Sequence, residues 1–155
     1  MNEMLPPFPD PGRARSARRL KLDDRVDRLA GLALFEGWSK RDLRNIARNT
    51  REEMIEPDQF LIREGSPARE AYVIIGGEAV VRSKGRRLAA LGPGDIVGEL
   101  GLLLHRPRTA SVQALTPLEY LVLEQANLKD CVERSPHLGW LLLQTVANRL
   151  SDTVT

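Results

Sequence analysis

Ala71-Tyr72-Val73-Ile74-Ile75-Gly76-Gly77-Glu78-Ala79-Val80-Val81-Arg82 sets two short β-prone runs on either side of a Gly-Gly turn. The same texture continues outward in both directions. Residues 54–63 precede it, and residues 87–91, 109–115 and 118–123 follow it, each a short run rich in strand formers. Between them stand Pro57-Asp58, Gly65-Ser66-Pro67, Lys84-Gly85, Gly92-Pro93-Gly94-Asp95 and Thr116-Pro117. Many short strands parted by Gly and Pro turns predict a sandwich or barrel closed on itself, not a βαβ array.

Helical patterns flank this β region. Residues 22–34 carry Val26, Leu29, Leu32 and Leu34, interrupted by Gly31, and Ser39 is a good N-cap for a helix running to about residue 48. After the strands come a helix near 126–133 and a longer one from Pro136, at a first-turn position, to about Thr153. The latter places Leu138, Leu142, Val146 and Leu150 at i+4 steps, so one of its faces is expected to pack.

A chain of 155 residues predicts one domain, and 42% hydrophobic with 28% charged residues suits an ordinary globule. No stretch is long and apolar enough for a membrane helix, and the N-terminus lacks the apolar core of a secretory signal. The lone Cys131 excludes an internal disulfide framework and fits a reducing compartment, so the cytoplasm is the expected location. The net charge of +2 is unevenly spread: residues 1–30 hold seven basic and five acidic side chains, and the remainder sums to zero. Residues 1–20, with four of the ten prolines, read as a flexible basic arm, a solvated tail or a contact for nucleic acid or an anionic surface.

The stretch from Gly94 to Val112 carries the candidate chemistry. Gly98 permits close approach of a ligand to the backbone, and residues 99–104 can form one short helix with free N–H groups at its start. Arg108 offers a planar five-donor cation to a phosphate. Glu99, an acceptor when ionised, requires hydroxyl donors such as those of a sugar. Spacing alone leaves two readings open, a nucleotide site or a structural Glu99–Arg108 ion pair at a turn.

Val97-Gly98-Glu99-Leu100 followed by Pro107-Arg108-Thr109-Ala110-Ser111-Val112 closely resembles the phosphate-binding cassette of the cyclic nucleotide-binding domain family. That family includes the catabolite activator protein, the regulatory subunits of protein kinase A and the cyclic-nucleotide-gated channels. Glu64-Gly65, residues 72–79 and Leu91-Gly92-Pro93-Gly94-Asp95 extend the similarity over roughly residues 30–153. The resemblance implies an α+β, mainly β fold: a double-stranded β-helix or jelly-roll barrel with N-terminal helices and two C-terminal helices. Residues 21–155 would form this domain.

Residue by residue, the resemblance implies that Arg108 neutralises the cyclic phosphate and Glu99 accepts the ribose 2′-hydroxyl. Amides near Gly98, Leu100 and Thr109, with the Thr109 hydroxyl, would complete the cradle. Val81, Ala89, Leu91, Gly101 and Ala110 would line the base pocket, with ordinary barrel core as the alternative. Thr153 falls where the activator protein's last helix meets the purine amino group, which favours cyclic AMP over cyclic GMP. Two departures from the family pattern are Val97 in place of an aromatic and Asp58 in place of a glycine.

Other classes fare worse. With two histidines, His105 and His137, that read as surface or helix-start residues, a metal-dependent barrel enzyme lacks ligands, and Cys131, a candidate haem ligand, reads as a helix-packing thiol. Ser111 has no histidine base placed beside it, so no enzyme is expected. The chain stops at Thr155 without a following helix-turn-helix, so no sequence-specific DNA binding is expected. The expectation is a stand-alone cyclic nucleotide-binding regulatory domain that signals by repositioning its C-terminal helix onto a protein partner or into a homodimer. The alternative is a family member that has lost its ligand and serves as a protein-interaction module.

Overall fold

Ser39 accepts a hydrogen bond from the Asp42 N–H at 3.1 Å, and the chain turns from extended to helical at that residue. In the computed structural model, which describes residues 15–16 and 21–154 apart from the side chains of 15, 16 and 152–154, two helices open the domain. They are α1 (Leu22–Ala30) and α2 (Lys40–Asn49), joined through a 3₁₀ turn at Ala33–Phe35. Arg15–Ser16 (β1) pairs antiparallel with Met54 and Glu53. The rest of the expected flexible arm over 1–20 lies outside the described residues.

Eight strands follow: β2 (Thr50–Ile55), β3 (Phe60–Ile62), β4 (Glu70–Gly76), β5 (Ala79–Ser83), β6 (Arg86–Leu91), β7 (Ile96–Val97), β8 (Ser111–Ala114) and β9 (Leu118–Glu124). They form a five-stranded sheet in the order β1-β2-β9-β4-β7 and a four-stranded sheet in the order β3-β8-β5-β6, paired antiparallel throughout. The run read over 54–63 divides at Pro57-Asp58, where Asp58 takes a left-handed φ of 70° in the place of the family's glycine. A short aspartate tolerates that conformation because its side chain can bond to nearby backbone.

Two apolar clusters hold the layers together. Between the sheets lie Ile55, Ile62, Ile74, Val97, Leu118, Tyr120 and Val122. On the other face of the five-stranded sheet, Ala71, Val73, Ile75, Leu121 and Leu123 pack against Val26, Leu29, Phe35, Leu43 and Ile46 of the N-terminal helices. β4 and β9 are thus buried on both faces, which explains their nearly continuous apolar sequence. The Val97 that replaces an aromatic is 2% exposed within the inter-sheet cluster.

Two helices close the chain, α4 (Gln125–Arg134) and α5 (Pro136–Val154). The first half of α5 is anchored: Leu138 and Leu142 are buried in the helical cluster, and His137 Nδ1 lies 2.7 Å from Asp42 Oδ2 on α2. The fold is therefore the mainly β jelly roll with helices at both ends that the sequence predicts. Among the described residues, no helix is long and apolar enough to cross a membrane.

Candidate functional site

Between β7 and β8 the chain leaves the sheets for α3 (Glu99–Leu104), the short helix expected from the sequence. Gly98 begins it at a φ of 82°, and a Cβ built there would stand 2.5 Å from Arg108 Nη1. Glycine is required at 98 on both counts. Gly101 is similarly confined, since its Cβ would stand 2.7 Å from the Ala68 methyl. Gln125 fastens the far end of α3, with Nε2 2.8 Å from His105 Nδ1.

Arg108 is held by its backbone before its side chain is considered. Its N–H donates to the Ser66 carbonyl at 2.8 Å, and its own carbonyl accepts from the Gly65 N–H at 2.7 Å. The guanidinium is buried and donates to the Gly98 carbonyl at 2.6 Å and to the Glu70 carbonyl. Burial lowers its pKa from the ordinary arginine value, opposed by Tyr72, Glu70 and Glu99. A cation this desolvated, with donors left over, favours an anion beside it.

Glu99 is 0% exposed, yet neither carboxylate oxygen has a well-formed hydrogen bond. Its one close counter-charge among the described residues is Arg149 of α5, whose Nη1 lies 2.9 Å from Oε1 in an off-axis ion pair. Arg149 also donates to the Ile96 carbonyl at 2.9 Å. Burial pushes the Glu99 pKa up, and Arg149 is the largest influence pulling it back. Of the two readings left open by spacing, the direct Glu99–Arg108 pair is thus not the arrangement: the two side chains turn to different partners.

A cavity of about 510 Å³ opens against these residues. Gly98, Leu100, Gly101, Arg108, Thr109 and Ala110 line it, as do Val81, Ala89 and Leu91 from the β5–β6 hairpin. Glu99 stands behind that wall rather than on it. The structure therefore brings together every expected site residue except Thr153, whose side chain lies outside the described residues. Thr145, Asn148 and Arg149 of α5 also reach the cavity, and no sequence motif points to them. A glutamate inside an apolar helix is a signal for a cation partner, but the sequence does not say which of nineteen arginines supplies it. Among the described residues, no group of three His, Cys, Asp or Glu side chains could hold a metal ion.

A jelly roll thus sets a buried arginine and a buried carboxylate beside a cavity of mixed polar and apolar lining. Comparison with known proteins gives the family: the cyclic nucleotide-binding domain model matches residues 52–135. The chain belongs to the cyclic nucleotide-binding domain family. A solved cAMP-binding acyltransferase of Mycobacterium smegmatis, in a mutant form, is 30% identical with a TM-score of 0.72, over 84% of this chain and 42% of that one. The human potassium/sodium hyperpolarization-activated cyclic nucleotide-gated channel 4 is 31% identical over 108 residues, which is 70% of this chain and 9% of the channel. The cGMP-dependent protein kinase egl-4 of Caenorhabditis elegans is 37% identical over 76 residues, 49% of this chain and 10% of the kinase. The chain spans less than half the length of each of these relatives.

Proposed function

We propose that this chain is a cyclic nucleotide receptor, with cyclic AMP favoured over cyclic GMP, and not itself an enzyme. The observation that carries the reading is the buried Glu99 carboxylate, ion-paired to Arg149 but without a well-formed hydrogen bond, set behind a cavity that the buried Arg108 also lines. A cyclic phosphate would take Arg108, Thr109 and the amides near Gly98 and Leu100. A ribose hydroxyl would donate to Glu99. The purine would lie among Val81, Ala89, Leu91, Gly101 and Ala110. Thr145 and Asn148, the latter with both a donor and an acceptor, line the cavity and would read the purine edge, with Thr153 the candidate for its amino group.

Arg149 supplies the link from binding to signal. It covers Glu99 from the α5 side, so a ribose that claims the carboxylate displaces Arg149 and biases the second half of α5 between two positions. The outer face of that helix presents Trp140, Leu143 and Leu150, exposed by 62%, 58% and 64%, with the exposed Ala147 between them. Their 3-4-3 spacing is the a/d seam of a two-stranded coiled coil. A second copy of the chain is the partner it fits, and Leu143→Asp should sediment as a monomer where the parent is a dimer. Equal sedimentation would remove the homodimer. A free buried thiol at Cys131 suits the cytoplasm as the setting.

Titration calorimetry with cyclic AMP and cyclic GMP in parallel tests the core reading. Saturable binding of both, tighter for cyclic AMP, is expected. If neither binds at millimolar concentration, the chain is a family member without a ligand.

A further inference from the structure

Arg108 separates two cavities, and the second has no part in the function proposed above. It measures about 390 Å³ and is lined by Arg63, Arg69, Tyr72 and Pro67, together with Glu70 and Arg108. Three arginines thus line it with one glutamate. That carboxylate is already engaged, since Glu70 Oε2 lies 2.8 Å from Arg51 Nη2 outside the cavity lining. Arg69 has no carboxylate partner among the described residues. Arg63 lies with its guanidinium carbon 4.2 Å from the centre of the Phe60 ring, and its Nε is buried with no hydrogen-bond partner.

That N–H is sealed from water, so the cavity meets Arg63 through the rest of its side chain. The uncompensated positive charge specifies an anion, and planar guanidinium forks match the oxygens of a phosphoryl group. The rest of the wall combines Ser66 with Tyr72, Pro67 and the buried Leu61 and Ile62, so it is mostly apolar. A cavity of this size is at the lower end of small-molecule sites and exceeds what a bare oxyanion fills.

We propose that this second cavity binds a phosphorylated small organic metabolite, with its phosphoryl group held by Arg63 and Arg69 and its organic part against Tyr72 and Pro67. Arg108 lines both cavities, so anions on its two sides compete for its donors and repel each other. Occupancy of the second cavity therefore weakens nucleotide binding in the first, and the reverse follows by linkage. The coupling rests on the cyclic nucleotide reading; the binding does not.

The test is a heteronuclear NMR titration of the full chain at constant ionic strength, with phenyl phosphate and inorganic phosphate as probes. Phenyl phosphate should give saturable shifts centred on residues 63–72, and bind more tightly than inorganic phosphate. Arg69→Ala, an exposed position, and Arg63→Gln should each weaken it by about tenfold, the 1.4 kcal/mol of one charge-assisted hydrogen bond. Arg134→Ala, a distant surface change, should leave it unaltered. Saturating cyclic AMP should weaken phenyl phosphate by about threefold or more, within the usual range of coupling between sites. Shifts confined to residues 98–110, or equal affinity in the Arg69→Ala and Arg63→Gln chains, would overturn the site. Equal affinity for the two probes would overturn the organic part of the ligand. An unchanged phenyl phosphate affinity in the presence of bound cyclic AMP would overturn the coupling alone. A chain that binds phenyl phosphate at Arg63 and Arg69 but no cyclic nucleotide would uphold this cavity and overturn the function assigned to the first.

Discussion

β4 and the cassette are neighbours, since Tyr72 and Val73 pair with Val97 and Ile96 just before α3, yet they use burial in opposite ways. In β4 every buried side chain is apolar, with Ala71, Val73 and Ile75 toward the helices and Ile74 toward the other sheet. Each such surface contributes about 25 cal/mol per Å² removed from water. In the cassette, Glu99 and Arg108 are 0% and 7% exposed. Desolvating each charge costs several kcal/mol before any partner answers it. The sheets hold the fold, and in the cassette they hold two charges away from water.

Substitutions in the two regions should separate accordingly. Leu121→Ala, at a position of 0% exposure in the central strand β9, should lower stability by about 2–5 kcal/mol in denaturant unfolding. Arg108→Ala should leave the fold standing and weaken cyclic AMP by at least about thirtyfold, roughly 2 kcal/mol, because it removes one partner of a desolvated charge pair. Calorimetry on the Arg108→Ala chain showing near-parental affinity would erase the contrast. So would a loss of stability as large as that of Leu121→Ala.

What the sequence makes legible follows the same division. Alternating short runs and turn residues reveal the strands because hydrogen-bonded ladders and tight turns impose local composition. The two-residue β7 is too short to leave such a mark and is read as part of a strand-poor stretch. Gly98, Glu99 and Arg108 are legible because one short segment carries them all. Thr145, Asn148 and Arg149 are not, because which residues of a helix meet a cavity depends on how the helix docks. The i+4 series on α5 shows the difficulty. Each step of four residues turns by about 40° beyond a full circle, so the stripe winds around the helix. Leu138 and Leu142 are buried, Val146 is half-buried and Leu150 is 64% exposed. As the apolar stripe rotates outward, Arg149 takes the inner face near the cavity.

The smallest expected effect probes the cassette's charge directly. Burial raises the Glu99 pKa from 4.5, so between that value and the folded-state one the folded chain holds a proton that the unfolded chain has lost. Stability contributed by this residue therefore falls as pH rises through that window, and is regained on acidification. Glu99→Gln carries no such charge, so its melting temperature relative to the parent should climb with pH across the window and level off above it. Glu70, raised by burial in the same way, is present in both chains and drops out of the difference. Cyclic AMP should shrink the difference, since a hydroxyl donated to Glu99 favours its ionised form. Parallel melting profiles with and without the nucleotide would mean that the carboxylate meets neither the desolvation nor the ribose assigned to it.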